Sequence, residues 1–232
     1  MAPAAGPGHQ PAREAARRVR TGCRGRLLSP GRLCVISGPS GVGKGTVVAA
    51  LRERCPDLAL SVSTTTRPRR PHELDGVHYR FLTAEEFEEL VADDGLIEWA
   101  EFSGRRYGTP AEPVRRALAR GQTVLLEIDV QGARQIRARV PEATLVFLAP
   151  PDMATLRQRL AARGTEGPDA IARRLQAASA EVDEASWFDH VVVNDDVDRA
   201  ADAIARILDS ATETGSDEHQ PGGTPQSPPS TT

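Results

Sequence analysis

Short apolar runs recur along the chain, and helical periodicity fills the gaps between them. Leu33–Ser37 reads as a buried strand, followed by a glycine-rich turn and a helix that runs to about Arg54 and stops before Pro56. Leu58–Ser63, Thr123–Ile128, Thr144–Leu148 and His190–Val193 read as four more strands. Met153, Leu156 and Leu160 share one helix face, and Ile171, Leu175, Ala178 and Val182 share another. Strands alternating with helices predict an α/β fold built on a parallel sheet with helices on both faces. The stretch from about Arg67 to Ala119 breaks the alternation. It carries strand-like pieces at Val77–Phe81 and Leu96–Phe102 around a helix opened by a capping box, Thr83 to Glu86. It reads as a small α+β insertion that carries a substrate pocket.

The two ends differ from this middle. Residues 1–30 are rich in Ala, Gly, Pro and Arg, with Glu14 as the sole acid. A basic disordered tail is the plain reading. A transit peptide would also be Arg-rich but normally rich in serine, and Ser29 is the only serine there. Residues 212–232 read as a second disordered tail, which leaves 31–211 as one domain. At 232 residues and 39% hydrophobic, the chain can bury a sizeable core. A net charge of -3 argues against bulk binding to nucleic acid or to an anionic membrane. No apolar run is long enough to span a bilayer. The three cysteines, Cys23, Cys34 and Cys55, have no CxxC spacing, which argues against a disulfide framework or a zinc site and fits a reducing cytoplasm. Cys34 lies in an apolar run and is expected to act as a small buried hydrophobe.

Chemistry enters at Gly38-Pro39-Ser40-Gly41-Val42-Gly43-Lys44. The segment follows a hydrophobic strand and opens a helix, which is the context of a phosphate-binding P-loop. Glycines let backbone N–H groups converge on phosphate oxygens, the helix N-terminus adds partial positive charge, and Lys44 reaches the β- and γ-phosphates. The next residue is Gly45 rather than the usual Ser or Thr that binds Mg²⁺, and Thr46 follows. No direct protein ligand to magnesium is therefore expected. Phosphates and water would hold it, and Thr46 is left to touch the α-phosphate. Glu127 and Asp129 sit two apart at the C-terminal end of a strand, where parallel sheets bind ligands. Asp129 is expected to orient magnesium-bound water and Glu127 to meet a substrate group; solvated strand-end acids are the alternative.

Thr64-Thr65-Thr66-Arg67-Pro68-Arg69-Arg70 crowds cations and hydroxyls as a monophosphate site would, though a solvated basic loop has the same composition. The motifs SVSTTTR, Glu73, Asp75–Tyr79, Ile97–Ala100, Tyr107–Thr109 and IDVQG follow in order. Together with GPSGVGKGT they resemble the guanylate kinase family, which phosphorylates GMP with ATP, from about Arg32 to Leu208. The resemblance implies that Ser63, Arg67, Arg70, Tyr79 and Tyr107 hold the GMP phosphate. It implies that Glu98, with Thr109 beside it, reads the guanine edge. A carboxylate is acceptor-only and suits the N1–H and 2-amino donors of guanine. Thr109 also fits a helix cap, since Thr109-Pro110-Ala111-Glu112 is a capping-box sequence, and the two tyrosines also fit a core role.

Arg159, Arg163 and Arg174 flank a Gly/Pro loop between two helices and match the family's lid arginines, which places a lid at about 159–174. Asn194 matches the segment near the adenine. The family's loop after Arg67 normally places proline one residue later and a glycine where His72 stands, so Arg69 and His72 receive no role. The implied reaction is γ-phosphoryl transfer from ATP and Mg²⁺ to GMP, with Lys44, Arg67, Arg159, Arg163 and Arg174 supplying positive charge. Three rivals weigh less. An adenylate kinase would share Gly45-Thr46 but not Glu98. A phosphopeptide-binding module would typically lack an intact P-loop. A GTPase would need an NKxD-type stretch.

Overall fold

A computed structural model describes residues 31–102, 104–162 and 167–210; both tails, Ser103 and residues 163–166, Arg163 among them, lie outside the described residues. Strand β1 (Arg32–Ser37) leads into helix α1 (Lys44–Arg54), then β2 (Ala59–Leu60) and β3 (Thr64–Thr65). The middle of the chain holds β4 (Arg80–Phe81), α2 (Ala84–Ala92), β5 (Leu96–Phe102), β6 (Arg105–Pro110) and α3 (Ala111–Ala119). The chain continues with β7 (Thr123–Glu127), α4 (Val130–Arg139), β8 (Thr144–Ala149) and α5 (Met153–Ala162). Helix α6 (Pro168–Asp183), a short 3-10 turn, β9 (His190–Val193) and α7 (Val197–Ser210) complete it.

A five-stranded sheet runs in the order β2-β7-β1-β8-β9, with every pairing parallel. Its central strands β7, β1 and β8 are apolar along their middles because both faces are covered there. Cys34 and Ile36 of β1, Leu125 of β7 and Val146 and Leu148 of β8 pack with α1 and α7. The intervening residues Leu33, Val35, Val124, Leu126, Leu145 and Phe147 pack with α3 and α4. The period of two along each strand sends alternate residues to opposite cores. The second strand is shorter than the apolar run Leu58–Ser63 predicts, because only Ala59 and Leu60 pair with β7.

The insertion forms its own sheet, β4-β3-β6-β5, with β6 antiparallel to both neighbours. Strand β5 and helix α2 fall where the sequence places them, and the capping box between Thr83 and Glu86 is complete. Strands β3 and β6 are additions: they are polar segments whose partners become evident only in the fold. Val77–Tyr79 is a turn joined to Asp75 by an isolated bridge, so the strand expected there shrinks to Arg80–Phe81.

Cys34 is buried and free, and burial pushes its thiol up to about 12. Cys55, just past the end of α1, is fully buried in the same core cluster as Cys34. Among the described residues no helix is long and apolar enough to cross a membrane.

Truncating Leu125, fully buried between two strands, to alanine should lower unfolding free energy by about 2–5 kcal/mol. Thr83→Ala, which removes one cap of an exposed helix, should cost about 0.5–2 kcal/mol. Urea unfolding of the two variants measures the difference.

Candidate active site

One cavity of about 210 Å³ reaches from Ser40 and Lys44 at one end to Tyr107 and Glu98 at the other. Its first wall is the loop between β1 and α1. Gly38 leaves the strand at φ 141°, and a Cβ there would lie 2.2 Å from the Leu148 carbonyl oxygen, so only glycine fits. Gly43 precedes α1 at φ 100°, with no side-chain cap and no acid in the first turn. A helix N-terminus with neither feature, set beside a glycine loop, is a ready anion site. Lys44 Nζ donates to the carbonyls of Gly38 at 2.6 Å and Pro39 at 3.4 Å, which folds the ammonium over the loop. Gly45 and Thr46 are exposed on the first turn of α1.

Glu127 ends β7 and points toward Gly45: its carboxylate oxygens lie 3.6 and 3.7 Å from where a Cβ at Gly45 would stand. Burial raises its pKa, and Lys44 opposes the rise. Asp129 is not on the strand with it, which corrects the expectation that both acids share a strand face. The strand stops at Glu127, and Asp129 becomes the N-cap of α4, with Oδ1 accepting the Gly132 N–H at 2.8 Å. Asp129 still lines the cavity.

At the other end Glu98 is 3% exposed and Thr109 fully buried. They face each other across β5 and β6, and the Thr109 hydroxyl donates to Glu98 Oε1 at 2.6 Å. Burial lifts the Glu98 carboxyl to about 7, with the Asp129 charge adding to the rise and Thr109 opposing it. Thr109 is not a helix cap: Pro110 occupies the N-cap of α3 and makes no side-chain cap. Proline's fixed φ ends the strand at that point, so the capping-box sequence is used as a strand end.

Arg67 adjoins the cavity through Tyr79, which lines it. Its guanidinium donates to both oxygens of Glu73, at 3.0 and 2.7 Å, and lies 5.5 Å from the Tyr79 ring centre. Glu73 is 5% exposed, and Arg67 holds its carboxyl down at about 2. The Arg70 N–H also donates to Glu73, and Arg69 Nη1 donates to the Glu73 carbonyl. The altered loop is thus organised by Glu73. Arg69 braces it, and the exposed Arg70 side chain is available at its edge. Tyr79 packs edge-on against Tyr107, and Ser63 lines the cavity beside them.

The lid residues divide. Arg163 lies outside the described residues. Arg159 lies against the phosphate loop. It donates to the backbone carbonyls of Val42 at 3.0 Å and Asn194 at 2.9 Å and braces the phosphate loop from behind. Arg174 donates to the Ser40 hydroxyl. Asn194 is buried and donates to the Val42 carbonyl at 2.7 Å, while its Oδ1 has no hydrogen-bond partner among the described residues. Two residues escaped sequence reasoning. Glu181 lines the cavity two turns after Arg174 on α6, raised in pKa by burial against the pull of Lys44. The heptad spacing to Arg174 was its only signal. Glu73 was visible as a motif letter, without its role.

The family model described as guanylate kinase matches residues 30–211. A guanylate kinase of Thermobifida fusca is 56% identical over 77% of this chain and 91% of its own length. One of Thermosynechococcus vestitus is 52% identical over 77% and 94%. The crystal structure of guanylate kinase from Anaplasma phagocytophilum superposes with a TM-score of 0.68 at 33% identity, covering 81% of this chain and 89% of that one. With a phosphate loop and a buried carboxylate at opposite ends of one cavity, the chain belongs to the guanylate kinase family.

Proposed function

We propose that this chain transfers the γ-phosphoryl group of ATP to GMP, giving ADP and GDP. The observation that carries the reading is the single cavity with two chemically opposite ends. One end offers a helix N-terminus, glycine backbone and Lys44, a site for anions. The other offers a buried carboxylate with an oxygen beyond the one that takes the Thr109 hydroxyl, a site for a base edge rich in donors. Guanine presents two adjacent donors there. Adenine would leave the carboxylate without them, and an unmatched buried acceptor is a strong basis for rejection.

The phosphate of GMP is already anionic, so its oxygen attacks the γ-phosphorus in line without a general base. Ser63, Arg67, Arg70, Tyr79 and Tyr107 hold that phosphate. The Glu73 carboxylate keeps the Arg67 fork aimed, and a preoriented fork loses less entropy on binding. Lys44 balances charge on the β- and γ-oxygens as the bond shifts. Gly38–Thr46 cradle the triphosphate, with Arg159 fixing the loop and Arg174 reaching it through Ser40. Arg163 joins them when the lid closes, and Asn194 Oδ1 offers an acceptor to the adenine.

Magnesium fits this site as a cation held chiefly by phosphates and water. The P-loop hydroxyl is absent at Gly45, and the nearby protein donors, Glu127 and Asp129, are oxygens of the hard kind it prefers. Bound there, it neutralises charge on the transferring group. The insertion at 67–119 carries GMP, the segment at 159–174 forms the lid, and the reaction suits a cytoplasmic nucleotide pool.

Release of ADP from ATP and Mg²⁺ should be fast with GMP and slow with AMP, CMP or UMP; fast turnover with AMP would overturn the base assignment. Lys44→Met should lower kcat by at least roughly 10²-fold, since it removes the cation from the migrating charge. The pH dependence has a definite sign. Burial raises the Glu98 pKa to about 7, so its acceptor form is gained as pH rises through 7. The KM for GMP should therefore fall several-fold between pH 6 and 8. The GMP phosphate itself ionises near about 6. The diagnostic is therefore the ratio of the wild-type KM for GMP to that of Glu98→Gln, in which the phosphate ionisation cancels; it should fall as pH rises from 6 to 8, and a ratio that does not change would contradict the role of Glu98.

A further inference from the structure

The first turn of α4 passes directly under the base-reading carboxylate. Asp129 caps that turn through the Gly132 N–H, and Gly132 is buried against β5. Its φ is not in the left-handed region, unlike those of Gly38, Gly41 and Gly43. An alanine would adopt this backbone without strain and would favour the helix. What glycine supplies here is therefore space.

A Cβ built on Gly132 would lie 2.4 Å from Glu98 Oε2 and 3.1 Å from the Glu98 carboxyl carbon, with Ile128 Cδ1 next at 3.3 Å. The two nearest atoms belong to one side chain, and a flexible one. The strand that carries Glu98 is itself pinned to the helix. The Gln135 amide accepts from the Trp99 N–H at 3.1 Å and donates to the Trp99 carbonyl at 2.5 Å. Arg139 donates to the Leu96 carbonyl at 3.0 Å. With the backbone fixed on both sides of Glu98, an added methyl group must push the carboxylate rather than the strand. Its other oxygen is held by Thr109, so the push turns the carboxylate out of the plane in which it meets a base edge.

We propose that Gly132 is a specificity-determining residue, setting the depth and orientation of Glu98 by the absence of a side chain. The inference rests on the reading that Glu98 recognises guanine. It adds that this recognition is specified from the opposite side by a residue that touches no substrate. Gln135 contributes by fixing the strand.

The test is Gly132→Ala, alone and with Glu98→Asp. Gly132→Ala should lower kcat/KM for GMP by about 10- to 100-fold, the scale for a reading group displaced by an ångström. The KM for ATP should stay within about twofold, and Tm should not fall, because alanine suits the helix. Glu98→Asp alone should also lose activity with GMP, by withdrawing the carboxylate. In the double variant the shorter side chain clears the methyl group, so its kcat/KM for GMP should exceed that of Gly132→Ala. An unchanged KM for GMP in Gly132→Ala would overturn the inference, as would losses that simply multiply in the double variant. Should Gly132→Ala fail to fold, recovery of folding in the double variant supports the overlap with Glu98, and failure of both refutes it. Wild-type turnover of GMP in the same assay separates the two readings. With it present, an indifferent Gly132→Ala refutes only the role of Gly132; with it absent, the guanine reading itself falls.

Discussion

Helix α4 and strand β5 meet along one helix face, and that contact joins the two halves of the site. Asp129, Gly132, Gln135 and Arg139 recur at helical spacing; Gln135 and Arg139 hydrogen-bond to β5, and Gly132 leaves the room that Glu98 of β5 occupies. The five-stranded sheet delivers α4, since only Ile128 and Asp129 separate it from β7. The second sheet delivers β5, which is its edge strand. A side-chain amide that bonds both backbone groups of Trp99 acts as a substitute for the missing neighbour strand. Through this contact the phosphate end and the base end are held at one separation, which transfer between two bound nucleotides requires.

Charge is the second constraint. Glu98, Glu127, Asp129 and Glu181 all line the cavity, and two phosphorylated substrates add more negative charge. Burial raises the pKa of Glu98, Glu127 and Glu181, so the apo site is poised to accept donors and cations. Glu73 works in the opposite regime. Paired with Arg67 on both oxygens, it stays ionised to very low pH and spends its charge on aiming a cation rather than on a substrate. Burying such a pair is justified less by stability than by the geometry it imposes.

Much of this was legible in the chain. The apolar runs at Leu33–Ser37, Thr123–Ile128 and Thr144–Leu148 mark buried parallel strands because two-sided burial leaves no polar alternation to confuse them. The phosphate loop is local, so its spacing carries its chemistry. The capping box at Thr83 is local as well. What escaped depends on distant partners. Strands β3 and β6 are polar and pair across forty residues. Thr109 carries a sound capping sequence, yet it faces Glu98 because of that pairing. Asp129 obeys the period of a strand but sits two residues beyond its end. Arg159 is marked by its spacing from Arg163, but its hydrogen bonds to Val42 and Asn194 appear only in the tertiary fold. Gly132 has no side chain to draw notice, and its use as space appears only when Glu98 is placed against it.

The account stands on Glu98 reading two donors of guanine at once. Calorimetric titration of GMP and IMP into the wild-type protein and Glu98→Gln at pH 8 tests this directly, because IMP keeps the N1–H and lacks the 2-amino group. The account predicts that wild type binds GMP at least about tenfold more tightly than IMP, and that the preference collapses in Glu98→Gln. An equal preference for GMP in both proteins would contradict it and place the reading of the base elsewhere.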